Sequence, residues 1–416
     1  MSSELLFTPC GSVPSQSTRA GALSVHALSP TCKTLMLSCM RYALLLSLFL
    51  VSLTSFAFQG PTEVSAIMSD KAAKSPLTAV TKAGERLIAV GQRGHILLSD
   101  DAGLSWVQAK VPVSTDLVAV SFASASHGWA VGHGGVVLKT EDGGLNWALQ
   151  LDGEQTSSLI QDYYQARIDD EELPDAQMLV EREQVLIGFG GTQPLMDVYF
   201  ADENNGYVVG IFNRLLRTTD GGETWEPWSH RVDNPYELHF YSINKGGDGL
   251  YLTGEQGMVW RLDEQEQYFQ SVATPYSGTL FGAAVGADQV VVFGMRGNAL
   301  LSTDQGQSWE PLAIDSVAGI TDGVIVGNGA IVLVNLAGEL LISTDHGASF
   351  QAQPVGRVMP FYGLAQISSS QLALVGAEGV QQLAVATPDA SNGESRVSLF
   401  SADSVVLNSV ERHHVK

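Results

Sequence analysis

The apolar positions of this chain fall in short runs of four to six residues, and the runs repeat. Leu117-Val-Ala-Val-Ser-Phe122 is followed by Gly128-Trp-Ala-Val-Gly132, then by Val136-Val-Leu-Lys-Thr140 and Asn146-Trp-Ala-Leu149. These runs are rich in β-branched and aromatic residues and are bounded by Gly, Asp and Ser clusters, so they predict four short strands. The third of them is preceded by a glycine pair of fixed spacing, seen as Gly91/Gly94, Gly132/Gly135, Gly254/Gly257, Gly294/Gly297 and Gly376/Gly379; Gly210 and Asn335 hold the first position in two further copies. The aligned turn positions are 94, 135, 213, 257, 297, 338 and 379. All but one of the intervals are 40–44 residues, and the exception, 78, is one unit plus an insertion of about 37. Seven units of that length predict an all-β fold, a seven-bladed propeller.

Five of the units also carry one polar phrase at the turn between the predicted third and fourth strands. These are Ser99-Asp-Asp101-Ala-Gly103-Leu-Ser-Trp106, Thr140-Glu-Asp142-Gly-Gly144-Leu-Asn-Trp147, Thr218-Thr-Asp220-Gly-Gly222-Glu-Thr-Trp225, Ser302-Thr-Asp304-Gln-Gly306-Gln-Ser-Trp309 and Ser343-Thr-Asp345-His-Gly347-Ala-Ser-Phe350. The carboxylate can accept hydrogen bonds from its own turn, the glycine supplies a backbone conformation that a Cβ would penalise, and the aromatic ring covers apolar surface. These residues are therefore read as structural. One carboxylate per phrase is too few for calcium, which takes six to eight oxygens.

The phrases resemble the Asp-box (BNR) repeats of sialidases and related propellers. Together with the upstream glycines, in seven units over about residues 75–387, the chain is similar to the photosystem II stability and assembly factor family, which has related forms in many bacteria without photosynthesis. The resemblance implies a seven-bladed propeller that is not an enzyme. It implies a protein client, met in that family through an arginine patch, and in the bacterial forms an association with RND-type exporters.

Between blades two and three, residues 151–195 change period. Leu159, Ile160, Tyr163, Tyr164 and Ile168 fall at helical spacing after Ser157-Ser158, a possible cap; a second segment opens at Pro174 and ends at Gly188-Phe-Gly-Gly191. This predicts a small helical hairpin. Blade topology puts it on the face of the turns between second and third strands, opposite the Asp boxes. Candidate partner-binding residues on that face are Arg93, His133, Arg214, Gln256, Arg296 and Glu378, joined by Tyr163 and Tyr164 of the hairpin. The arginines either pair with nearby acids or form a basic rim. Blade seven lacks an evident fourth strand, and residues 58–70 are expected to supply it.

Met40-Arg41 opens an apolar run, Tyr42 to Leu53, that closes on Thr-Ser-Phe-Ala57. This reads as a signal peptide over 40–57, cleaved after Ala57, with translation starting at Met40 and 1–39 an upstream extension. A dozen apolar residues fall short of the ~20 a membrane span needs. The exported chain would be periplasmic or secreted, with 388–416 a mobile polar tail. All three cysteines, Cys10, Cys32 and Cys39, precede Met40, so the exported chain can form no disulfide and offers no thiol nucleophile.

Lys+Arg number 22 and Asp+Glu 44, a net charge of −22. A surface this acidic disfavours nucleic acid and anionic lipid. No Gly-x-Ser-x-Gly elbow or His-Glu-x-x-His helix is present, and the histidines are dispersed. The sequence thus points to an exported monomer without metal or cofactor that binds a protein of a membrane complex, as an assembly or accessory factor. A glycan-binding or sialidase-like propeller is the alternative, with Trp129, Trp228 and Tyr276 among its possible platforms and Tyr236-Glu237 as a Tyr/Glu pair. That reading needs three converging arginines and lacks the early Phe/Tyr-Arg-Ile-Pro motif.

Overall fold

The computed structural model describes residues 59–247, 249–326 and 329–384. The expectations for 1–39, for the signal peptide and its cleavage at Ala57, and for the tail 388–416 lie outside the described residues.

Seven antiparallel sheets form a ring. Blade one holds β1 (Leu77–Ala83), β2 (Arg86–Gly91), β3 (Ile96–Ser99) and β4 (Val107–Gln108), hydrogen-bonded in that order from the axis outward. Blade two repeats it with β5 (Leu117–Phe122), β6 (Gly128–Gly132), β7 (Val137–Thr140) and β8 (Ala148–Leu151). Blade three begins with β9 (Leu195–Phe200), blade four with β13 (Phe240–Gly246), blade five with β17 (Leu280–Val285) and blade six with β21 (Ile320–Ile325), each followed outward by three further strands. Blade seven has three strands among the described residues, β25 (Phe361–Ser368), β26 (Gln371–Gly376) and β27 (Gly379–Ala384). Each innermost strand packs on the next, and β25 packs on β1, which closes the ring.

The second strand of a blade is buried at nearly every position, as in Gly128–Gly132 and Val290–Gly294. Both faces of each sheet are covered by neighbouring blades, so these strands read as continuous apolar runs instead of alternating ones. The glycine at their end has a steric cause. A Cβ on Gly91, Gly132 or Gly294 would stand 2.4, 2.2 and 2.2 Å from the backbone oxygen of Pro76, Asp116 and Thr279, just before the innermost strand of the same blade. Every innermost strand also carries a register shift near its start, which leaves Thr78, Val118, Met196, Tyr241, Phe281, Thr321 and Tyr362 as the extra residue. Such a bulge bends a strand and raises its twist.

The expected hairpin is present as α1 (Gly153–Gln165) and α2 (Ala176–Gly188). Its start differs from the expectation at Ser157-Ser158. Asp152 caps α1 through a reciprocal pair, Gln155 N–H to Asp152 Oδ1 at 2.8 Å and Asp152 N–H to Gln155 Oε1 at 3.0 Å. Ser157 lies a turn inside and donates to Gly191 O. The second helix begins two residues after Pro174, at Ala176. Ile160, Tyr164, Leu179 and Val180 share one core cluster with Trp129, Val198 and Phe200. The hairpin is thus wedged into the seam between blades two and three.

Residues 59–70 do not form the missing strand of blade seven. They run beside the outer edge of blade one, with Ala66 N–H to Val111 O at 3.0 Å, Ser114 N–H to Pro61 O at 2.7 Å and Ser69 N–H to Gln108 Oε1 at 2.8 Å. Pro61 and the mixed sequence after it offer no strand alternation. The short turn Ala72–Lys74 then crosses to blade seven, burying Ala72 and Ala73 with Val375 and Val380.

The close approach at the strand-end glycines can be checked directly. Gly294→Ala should cost about 1–3 kcal/mol in denaturant unfolding through overpacking. Gly188→Ala, where a Cβ meets nothing within 4 Å, should be neutral or slightly stabilising.

Candidate functional site

One face of the ring carries the Asp boxes and the hairpin turns between first and second strands. Gly143 N–H donates to Ser126 O at 2.9 Å and Gly221 N–H to Asn204 O at 2.8 Å across it. In each box the aspartate closes its own turn. Asp304 Oδ1 accepts from Ser302 Oγ and from Ser308 N–H at 2.8 and 2.9 Å, and Oδ2 accepts from Ser308 Oγ at 2.5 Å. Ser302 Oγ in turn accepts from Gly306 N–H at 2.8 Å. The same pattern recurs at Asp101, Asp142, Asp220 and Asp345. Hydrogen bonds from Ser308 and Ser349 hold Asp304 and Asp345 down to about 2. Trp106 and Trp147 fold back onto their boxes and donate to Gly103 O and Gly144 O.

The opposite face carries the turns between second and third strands and the connections between blades. Each turn is seated on a neighbouring connection: Arg93 N–H donates to Asp116 Oδ1 at 2.8 Å, Met295 N–H to Thr279 O at 3.0 Å and Ala377 N–H to Pro360 O at 3.0 Å. Arg93, Gln256 and Arg296 occupy left-handed backbone, with φ of 56°, 56° and 59°. That conformation costs a side-chain-bearing residue roughly 1–2 kcal/mol and suits glycine, which stands there in blade two as Gly134. Arg93 and Arg296 are exposed and make no ion pair among the described residues. His133, Gln256 and Glu378 are also exposed, and Glu378 pairs with Arg357 at 3.5 Å.

Two expected rim residues are interior. Arg214 is 2% exposed and pairs with the fully buried Glu183 of α2 at 2.8 Å, so it anchors the hairpin and cannot meet a partner. Tyr164 is fully buried, with its hydroxyl 3.1 Å from His230 Nδ1. Tyr163 is half-buried, donates to Glu226 Oε1 at 2.8 Å and stacks under the Arg167 guanidinium at 3.6 Å. Burial, with the Glu226 charge, pushes the Tyr163 hydroxyl up to about 12.

Three of the arginines that a sialidase site could draw on are held apart. Arg214 is locked inside, Arg261 reaches Gln305 in the blade-five box, and Arg296 stands on the other face. Glu237 is paired with Arg182 and Tyr236 projects into solvent. Trp129 and Trp228 are core residues, Trp129 stacked on Phe200 at 3.4 Å. Among the described residues no group of three His, Cys, Asp or Glu could hold a metal ion.

Two polar residues escaped the sequence reading. Asp197 on β9 accepts from Ile243 N–H of blade four at 2.8 Å, and Asp322 on β21 accepts from Leu364 N–H of blade seven at 2.8 Å. Each bridges adjacent innermost strands. Burial lifts Asp197 to about 7, with the Asp322 charge adding to the rise, and lifts Asp322 to about 6. Their signal was an acid in a column that other blades fill with Ala79, Ala119, Ser242, Gly282 and Gly363.

A family model described as "Photosynthesis system II assembly factor YCF48" matches residues 98–167 and 179–334. The photosystem II assembly lipoprotein Ycf48 of Synechococcus sp. (strain CC9902) is 26% identical over 132 residues, 30% of this chain and 39% of that protein. The chloroplastic photosystem II stability/assembly factor HCF136 of Oryza sativa subsp. japonica is 23% identical over 149 residues, 34% of this chain and 35% of that protein. The matches thus span about two-fifths of these relatives' length or less. A solved structure described as YCF48 bound to D1 peptide superposes with TM-score 0.55 at 17% identity, covering 78% of this chain and 100% of the other. YCF48 from Cyanidioschyzon merolae gives TM-score 0.53 at 15% identity, covering 76% and 97%.

Glu183→Ala should destabilise the protein by about 3–5 kcal/mol, because it strands a buried guanidinium. Adding Arg214→Met should recover much of that loss in the same denaturation assay. The raised carboxyls predict a pH dependence. Unfolded aspartates ionise near pH 4, while folded Asp322 and Asp197 keep their protons to about 6 and 7. The unfolded chain therefore binds fewer protons between those limits, and stability falls as pH rises from about 4 to 7. The box aspartates act oppositely, losing their contribution as pH falls from about 4 to 2. Buried His230, held down to about 4, works against this below about pH 6.5, so the check is by difference: from pH 8 to pH 5 the melting temperature of the wild type should gain on that of the variant carrying Asp197→Asn and Asp322→Asn.

Proposed function

The chain belongs to the photosynthesis system II assembly factor YCF48 family, and from that premise we propose that it is an exported, non-catalytic scaffold that binds a protein client during assembly or operation of a membrane complex. The client is an envelope membrane protein, of an RND-type exporter or, in a photosynthetic cell, of a photosystem. The observation that carries the reading is the pair of exposed, unpaired arginines, Arg93 and Arg296, held in left-handed backbone on the face opposite the Asp boxes. A strained backbone position that glycine would fill more easily marks a side chain kept for its contacts. The relative solved with a D1 peptide supports a polypeptide ligand. Export follows from the apolar run before Ala57 and agrees with relatives named as lipoproteins. The glycan alternative is weaker, because Trp129 and Trp228 are buried and Arg214 is locked onto Glu183.

Capture on the immobilised protein from detergent-solubilised envelope membranes tests this. A membrane protein should be retained, and Arg93→Gly with Arg296→Gly should reduce its capture at least ~10-fold, as loss of charged hydrogen bonds would. Stability of that variant should be unchanged or higher, since glycine relieves the left-handed strain. Retention of no membrane protein, or turnover of a fluorogenic sialoside, would overturn the proposal.

A further inference from the structure

A cavity of about 670 Å3 opens between the leading segment and the first turn of blade one. Lys71, Arg93, His95, Ser69, Ser114 and Ile67 are among its lining residues; among the described residues no carboxylate lines it, the nearby Asp116 being turned onto Arg93 N–H at 2.8 Å. That composition runs against the molecule, whose acidic residues outnumber its basic ones two to one. His95 is 6% exposed, and its Nδ1 has no hydrogen-bond partner among the described residues. That nitrogen has almost no accessible surface, so the ring forms part of the cavity wall without offering this atom to a ligand. Burial and the Arg93 charge hold this imidazole below its ordinary range, so the ring is neutral and the fixed positive charge belongs to Lys71 and Arg93.

We propose that this cavity binds a carboxylate carried on a small apolar group. The Arg93 guanidinium offers the planar fork that matches two carboxylate oxygens, and Lys71 adds a point charge. The Ser69 hydroxyl, which accepts from Lys71 N–H, can donate to the same oxygens, and Ile67 with Pro76 gives the apolar part a wall. The leading segment makes half of the site. It is held there by the Gln108 amide, which donates to Ile67 O at 3.0 Å while its oxygen accepts from Ser69 N–H. The carboxylate is either that of a free small acid or the end of a polypeptide. The inference rests on the scaffold reading only for that choice of source, not for the site.

Titration of the full chain with N-acetyl-leucine, N-acetyl-leucinamide, inorganic phosphate and an octapeptide ending in free leucine separates the possibilities. The two carboxylates should bind and the amide should not. Lys71→Ala and Arg93→Gln should each weaken binding by about tenfold or more, and Arg93→Lys should restore part of it. Both side chains are exposed, so the melting temperature should not move. Tighter binding of the octapeptide assigns the source to a chain end, and equal binding assigns it to a small acid. Equal binding of acid and amide, binding of phosphate alone, or indifference to both substitutions would overturn the site. A client captured equally by the wild type and the Lys71→Ala variant would assign the site to a small acid and leave the scaffold role standing.

Discussion

Closure of the ring through its innermost strands is the constraint on which the rest depends. Each blade alone has two apolar faces and cannot cover either; only a neighbour on both sides does so. Closure brings polar groups of one blade onto the backbone of the next. Thr78 donates to Leu117 O at 2.7 Å and Thr321 to Phe361 O at 2.9 Å, while Asp197 and Asp322 accept from the blade that follows. These bridges use hydroxyls and carboxyls that would otherwise be desolvated without a partner.

The two faces divide the labour. On one, the box aspartates spend their lone pairs inside their own turns, which leaves little for a ligand. On the other, turns of the same length are braced by the connections between blades, and their side chains stay free to vary. Rigid backbone under variable side chains is the usual arrangement of a recognition surface. The hairpin belongs to this face, but its inner side is core and its buried Arg214–Glu183 pair fixes it in one position.

The architecture was legible in the chain because the repeat exposes it seven times over. Glycine spacing and box residues carried the blade count, and blade topology the face on which the insertion emerges. Individual side chains were less legible. Arg214 looks like Arg93 and Arg296 in a list of turn residues; what buries it is Glu183, on a helix whose docking no local pattern encodes. Tyr164 differs from Tyr163 by one helical step, and that step takes it from half-buried to fully buried. The fourth strand sought in 58–70 went wrong because strand supply from the amino end is a topological habit, and Pro61 with its neighbours lacks the alternation to obey it.

The seam between the last blade and the first has a kinetic meaning. Ala72 and Ala73 rest on Val375 and Val380, and Lys82 donates to the carbonyl of Ile367, 285 positions further along the chain. Contacts so distant along the chain are slow to form. The earliest-made part of the propeller therefore waits for the last-made part before it is latched. A polypeptide threaded through an export channel from its amino end would stay unlatched until the seventh blade had followed it across.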